Sequence, residues 1–157
     1  CVIIPCLVNS AAIADPNHSS LSNTSVELFD RIIRSCEQAK RGGGGRIILL
    51  STTLVQSLNP RYGSYTASKA AVEAMPETLA KEIKGKNITV KCVSPGPVAT
   101  DMFFTGLSDE IVEKVKSLNF FGRLGETKDI APVVGFLASD AAEWINDQVI
   151  IANGGSL

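Results

Sequence analysis

Residues 46–84 read RIILLSTTLVQSLNPRYGSYTASKAAVEAMPETLAKEIK, and this stretch decides the fold. It opens on 46–50, a short Ile- and Leu-rich block bounded by turn residues, the pattern of a buried parallel strand. It closes on 65–84, rich in Ala, Glu and Lys, which predicts a long helix. Pro76 falls inside that helix and predicts a kink there, costing about 3 kcal/mol unless packing compensates. Outward from this unit the same alternation recurs. Residues 3–8, 87–93 and 148–152 are further apolar strand-like blocks. Thr24 and Glu27 form a capping box, and Leu28, Ile32 and Cys36 follow at helical spacing, so a helix is expected over 24–40. Residues 128–139 place Ile130, Val134 and Leu137 on one helical face. Long helical crossovers between buried strands imply an α/β fold, an open parallel sheet with flanking helices.

Composition narrows the function. The chain has 157 residues, 15 basic and 16 acidic side chains and a formal charge of −1. That balance gives no electrostatic reason to expect nucleic acid or an anionic membrane as partner. The one histidine, His18, lies in a polar loop with no nucleophile elbow beside it, which argues against a hydrolase triad. It also leaves no basis for a His-rich metal site, and no metal is expected. The four cysteines (Cys1, Cys6, Cys36, Cys92) form no C-x-x-C pair and read as free thiols. The apolar start, 1–8, lacks a basic flank and is far short of the roughly 20 residues that span a bilayer; a buried strand is the expectation.

The glycine run 42–45 has the wrong order for a phosphate loop. Such a loop follows a strand and opens a helix, so that backbone N–H groups face the phosphates. Here the glycines end a helix and lead into a strand, which is a helix stop and a turn.

Tyr65 and Lys69 carry the chemistry. Four residues apart at the start of a helix, they project from one face. A free tyrosine has a pKa near 10 and exchanges protons poorly at neutral pH; a nearby ammonium favours phenolate and lowers that value. A phenol so tuned protonates a carbonyl oxygen or takes the proton back from an alcohol. The spacing alone also suits an exposed i,i+4 pair, so the surroundings must decide.

Those surroundings, Tyr62-Gly63-Ser64-Tyr65-Thr66-Ala67-Ser68-Lys69 after a strand ending Ser51-Thr52-Thr53, resemble the short-chain dehydrogenase/reductase family. The family has Y-x-x-x-K with a serine thirteen residues before the tyrosine, and that count lands on Thr52. Asn9-Ser10-Ala11-Ala12 is similar to its N-N-A-G, and Pro95-Gly96-Pro97-Val98-Ala99-Thr100 to its P-G-x-x-x-T. Gly122-Arg123-Leu124-Gly125 and Asn153-Gly154-Gly155 resemble its C-terminal marks. Among its branches the chain looks most like plant NADPH-dependent aldehyde reductase-like proteins.

The resemblance implies an oxidoreductase using NADP(H), or NAD(H), to reduce aldehydes or ketones to alcohols. It implies Tyr65 as general acid, Lys69 as the cation that lowers its pKa and holds the nicotinamide ribose, and Thr52 as the group that positions the substrate oxygen, with Ser51 as a substitute. Asn9, Ala11, Lys69, Pro95, Gly96, Val98 and Thr100 are the implied cofactor contacts. For Asn9 a turn-closing role competes, and for Thr100 a helix N-cap role. Met102, Phe103, Phe104, Ile111, Val115, Phe120 and Phe121 match the family's substrate lid, against the plainer reading of a helix packed on the core. Implied partners are a small carbonyl or alcohol and, in the complete protein, a second copy or more (dimer or tetramer); the implied location is cytoplasm or chloroplast.

By the same resemblance, residues 1–157 are a single partial Rossmann-type domain without the family's N-terminal T-G-x-x-x-G-x-G portion. The helix after Asp30-Arg31-Ile32 lacks about a dozen residues that carry an active-site asparagine in the family. Ala12 and Asp147 stand where the family favours glycine. The 157-residue chain by itself is then expected to bind dinucleotide poorly, with strand 3–8 as a raw sheet edge. The alternative reading is an inert product that acts at most by dimerising with complete subunits; an epimerase or dehydratase sharing Y-x-x-x-K is a third.

Overall fold

Three of the four apolar blocks become strands close to their expected bounds, and the fourth is described from Cys6 on. In the computed structural model, which describes residues 6–9 and 45–156, these are β1 (Cys6–Asn9), β2 (Gly45–Leu50), β3 (Ile88–Pro95) and β4 (Gln148–Ala152). They form one sheet in the order β1-β2-β3-β4, parallel throughout. Val8 pairs with Ile48, Ile48 with Lys91, and Lys91 with Gln148. The helix expected over 24–40, the glycines 42–44 and residues 3–5 lie outside the described residues.

After β2 come α1 (Leu54–Ser57) and α2 (Gly63–Glu82); after β3 come α3 (Asp101–Phe104), α4 (Asp109–Ser117) and α5 (Thr127–Ala138). A 3-10 turn, Asp140–Ala142, precedes β4. The side chains of a strand alternate between faces, and both faces of this sheet are apolar and covered. Ile47, Leu49, Val90 and Cys92 pack against Val72, Leu79 and Ile83 at the α2 side. Ile48 and Val93 pack against Leu137 and Ala142 at the α5 side. Strands buried on both faces read as continuous apolar runs, which is why no alternation marks them in the sequence.

Pro76 does not end α2. The helix runs through it to Glu82, and Pro76 is among the most completely buried side chains. Thr66, Lys69, Val72, Pro76 and Leu79 make the buried stripe of that helix, three or four residues apart. Packing of the ring thus offsets the backbone hydrogen bond that a proline cannot donate. Asp147, where the family favours glycine, takes the left-handed φ of 61°, and its N–H donates to Val90 O at 2.8 Å. Beneath α5, the fully buried Lys91 donates from Nζ to Leu137 O at 2.7 Å, a cation at the helix end where carbonyls lack partners.

Candidate active site

Parallel strands end on the same edge of a sheet, so the residues following β2 and β3, and Asn9 at the end of β1, share the carboxyl edge. Such edges are where open α/β folds hold their ligands. The chain leaving β2 stays alongside β3: Ser51 N–H donates to Val93 O at 2.8 Å and Thr53 N–H to Pro95 O at 3.0 Å. Strand alternation continues through this extension. Ser51 and Thr53 are buried, and Thr52 between them is half-buried at the edge.

That alternation separates the two hydroxyls that the sequence offered. Ser51 Oγ turns inward and donates to the Lys69 carbonyl at 3.4 Å. It is occupied in bracing α2 and does not substitute for Thr52. The Thr52 hydroxyl accepts from Leu54 N–H at 3.4 Å and lies near enough to the Tyr65 phenol to favour its charged form. Lys69, one turn beyond Tyr65, is only 4% exposed. Its Nζ donates to Leu50 O at 2.9 Å and lies 5.9 Å from the centre of the Tyr65 ring, within cation–π range. Thr52, Tyr65 and Lys69 are therefore brought together.

The electrostatics differ from the sequence expectation. Burial pushes the Tyr65 phenol above its ordinary value, and the Thr52 hydrogen bond pulls it only partly back. Burial also lowers the Lys69 ammonium, which the Cys92 thiol partly offsets. Cys92 itself is pushed up to about 12, first by burial and then by the Glu73 carboxylate. Lys69 does not acidify the phenol here because the two groups are desolvated together, and desolvation disfavours the charged form of each. The phenol stays protonated at neutral pH, the form that can donate.

Pro95 and Gly96 turn the chain at the end of β3. Gly96 N–H donates to Ala152 O at 3.1 Å, and a Cβ on Gly96 would lie 2.7 Å from Asn153 Cβ and 2.8 Å from its Cα. Only glycine allows that approach. Val98 bridges to Gly125, with Ala99 N–H donating to Gly125 O at 2.8 Å. Thr100 caps α3: its hydroxyl accepts from Phe103 N–H at 3.4 Å and donates to Val98 O at 3.4 Å. Pro95, Gly96, Val98 and Thr100 thus form one turn at the carboxyl edge beside the Thr52–Tyr65–Lys69 group, with Val98 and Thr100 half-exposed. Asn9 pairs in register with Leu49, and Ala11 lies outside the described residues, as does His18.

A cavity of about 430 Å³ opens on the β4 side of this turn, between Gly96, Val98, Phe121, Ile130, Ile150 and Asn153. Thr52, Tyr65 and Lys69 do not line it. Among the described residues no cluster of His, Cys, Asp and Glu suits a metal ion, and no helix is long and apolar enough to cross a membrane.

The reading of the sequence missed the polar contacts around Glu73. Both its oxygens accept from Gln56 Nε2, at 3.2 and 3.0 Å, and Ser94 Oγ donates to Oε1 at 3.2 Å. Spacing places Glu73 on the helical face of Lys69, four residues on, but nothing local points to Gln56 or Ser94 as its partners.

A family model described as enoyl-(acyl carrier protein) reductase matches residues 3–156. Over 163 aligned residues the chain is 74% identical to NADPH-dependent aldehyde reductase 2, chloroplastic, of Arabidopsis thaliana, covering 96% of this chain and 60% of that protein. It is 51% identical to the NADPH-dependent aldehyde reductase-like protein, chloroplastic, of the same plant, covering 95% and 60%. The chain thus spans about 60% of the length of these curated relatives. Among solved structures, the angucycline C-6 ketoreductase LanV with bound NADP superposes with a TM-score of 0.75 at 31% identity, covering 97% of this chain and 62% of that one.

Proposed function

This chain belongs to the short-chain dehydrogenase/reductase family, and from that premise we propose that it carries the proton-transfer side of an oxidoreductase that reduces aldehydes or ketones to alcohols with NADP(H). The observation that carries the proposal is the convergence of Thr52, Tyr65 and Lys69 at the carboxyl edge of the sheet. The residues present fit the nicotinamide end of a dinucleotide. Lys69 Nζ and the Tyr65 hydroxyl are hydrogen-bond donors beside the turn from Pro95 to Thr100, where Val98 and Thr100 are half-exposed.

When bound, the nicotinamide supplies the hydride. The protein's part is the proton. Tyr65 donates its phenolic proton to the carbonyl oxygen as negative charge grows there. The raised pKa of the buried phenol keeps that proton in place until the oxygen becomes basic enough to take it. Thr52, whose hydroxyl neighbours the phenol, would orient the substrate oxygen toward it. Lys69, fixed by the Leu50 carbonyl, places a positive charge by the ring where phenolate forms, and it would hold the ribose hydroxyls of a bound nicotinamide nucleotide. Pro95, Gly96, Val98 and Thr100 would offer the nicotinamide carboxamide a peptide-lined wall, and the family resemblance assigns Asn9 and Ala11 to the adenosine side. The reverse reaction, alcohol oxidation, uses the same groups with the proton moving back.

Two extensions follow, the first from the relatives' names and the second from the family resemblance. Both Arabidopsis proteins are named chloroplastic, which supports a chloroplast location for this protein, testable by organelle fractionation. A homo-oligomer is proposed for the protein that carries this chain, testable by light scattering.

The decisive measurement is NADPH oxidation with a panel of aldehydes, comparing the protein that carries this chain with its Tyr65→Phe form. Loss of the proton donor is expected to lower kcat about 10²–10⁴-fold, the range for general acid catalysis. A rate within about three-fold of the original, far below that range, would overturn the mechanism.

A further inference from the structure

The Glu73 carboxylate makes its hydrogen bonds to two segments that flank its own helix. Gln56 belongs to α1, the turn that begins two residues after Thr52 and whose first N–H, from Leu54, binds the Thr52 hydroxyl. Ser94 is 0% exposed and immediately precedes the Pro95–Gly96 turn. Gln56 Oε1 and Ser94 Oγ are themselves 3.5 Å apart, which closes a triangle. Glu73 lies on α2 one helical turn beyond Lys69 and two beyond Tyr65. Three elements that each supply a part of the proposed site therefore meet at one carboxylate: the Thr52 turn, the Tyr65–Lys69 helix and the Pro95–Gly96 turn.

We propose that Glu73 is a positioning residue for the carbonyl reduction, one that clamps the Thr52 turn and the Pro95–Gly96 turn onto the helix bearing Tyr65 and Lys69. The inference rests on the function proposed above. A carboxylate suits the task because it accepts several hydrogen bonds at once, and bonds to an ionised acceptor are about twice as strong as neutral ones. Gln56 is exposed and gives α1, a single four-residue turn with no buried side chain, a tie that its own packing does not provide. Ser94, deep in the sheet, fixes the other end. Proton transfer from Tyr65 depends on Thr52 standing at hydrogen-bond distance, and misplacement by about 1 Å costs on the order of 10²-fold in rate.

The test is a set of variants of the protein that carries this chain: Glu73→Ala, Glu73→Gln, Gln56→Ala, and Glu73→Ala combined with Tyr65→Phe. Glu73→Ala is expected to lower kcat about ten-fold, within the cost of a sub-ångström displacement, while KM for NADPH and aldehyde stays within about three-fold. Glu73→Gln, which keeps one oxygen for Ser94 and Gln56, is expected to recover part of that loss. Gln56→Ala, at an exposed position that folding tolerates, is expected to lower kcat about three-fold. In the Tyr65→Phe background, Glu73→Ala should cost little more, because the group it positions is gone. A kcat within two-fold of the parent for both Glu73→Ala and Gln56→Ala, or an undiminished Glu73→Ala loss in the Tyr65→Phe background, would overturn the inference. Should Glu73→Ala not fold, Glu73→Gln and Gln56→Ala decide: no change in kcat in either removes the clamp. If Tyr65→Phe itself keeps its rate, the function fails; if Tyr65→Phe is dead and the Glu73 and Gln56 variants are not, only the clamp fails.

Discussion

Residues 51–69 and residues 101–121 flank the same sheet edge and are built on opposite plans. In the first, the reactive polar groups are withdrawn from water and each is held: Ser51 by a helix carbonyl, Thr52 by the phenol and a backbone N–H, Lys69 by the Leu50 carbonyl. A strand end and a 20-residue helix supply the rigidity. In the second, helices of four and nine residues bury one side chain, Val112, and leave Met102, Phe104 and Ile111 half-exposed. Phe120 and Phe121 follow at 84% and 66% exposed, edge to face with ring centres 5.3 Å apart. The plainer expectation, a helix simply packed on the core, does not describe this segment. Chemistry at a carbonyl needs groups fixed within fractions of an ångström, whereas apolar recognition tolerates looser surfaces. We read the first region as the chemical wall and the second as the surface that meets the apolar part of the substrate.

Four measurements would break or sharpen that contrast, and the Tyr65→Phe loss is the largest. Next is Lys69→Met, which keeps the apolar stem but removes the Leu50 bond and the charge beside the ring. Loss of a preorganised charge stabiliser of this kind is expected to cost on the order of 10²-fold in kcat. A Lys69→Met enzyme with its rate intact would remove Lys69 from the wall. Third is the ionisation of the phenol in the cofactor-free protein. Burial disfavours the charged phenolate and holds the proton more tightly, so the folded-state value lies above the ordinary 10.0. The phenolate absorbance of the parent minus that of Tyr65→Phe is therefore expected to have its midpoint above 10.0. A midpoint below that would show the Lys69 charge outweighing burial, as the sequence alone suggested. The smallest effects belong to the other region. Phe120→Ala and Phe121→Ala should leave stability within about 0.5 kcal/mol, as exposed positions do. They should raise KM for an apolar aldehyde a few-fold with kcat retained, and an equal KM for a small polar aldehyde would complete the pattern. A fall in kcat instead would mean that this surface also sets the reacting geometry.

Much of this was legible in the sequence because it is local. The strand blocks and the long helix from Tyr65 each follow from a few neighbouring residues. The grouping of Tyr65 with Lys69 follows from helical spacing, whereas Thr52 was singled out by the family resemblance, thirteen residues before the tyrosine. The different surroundings of Ser51 and Thr52 were not legible, because they depend on which of two adjacent side chains a sheet extension turns inward. The sign of the Tyr65 shift was not legible either. Counting a cation one turn away suggests an acidified phenol, but burial is a property of the assembled sheet and helix, and it prevails. Pro76 shows the same limit from the other side: its backbone cost is read from the residue type, its compensation only from the core that surrounds it. The Glu73 contacts reach across 17 and 21 residues of chain, beyond any local pattern.

The contact between Gly96 and Asn153 binds one codon more tightly than the other. A methyl added at 96 would overlap the Cα and Cβ at 153, atoms that every residue there except glycine carries in full, so no ordinary exchange of the 153 side chain makes room at 96. Redesign of this edge for a different carbonyl compound would have to leave Gly96 untouched and vary the aromatic surface instead.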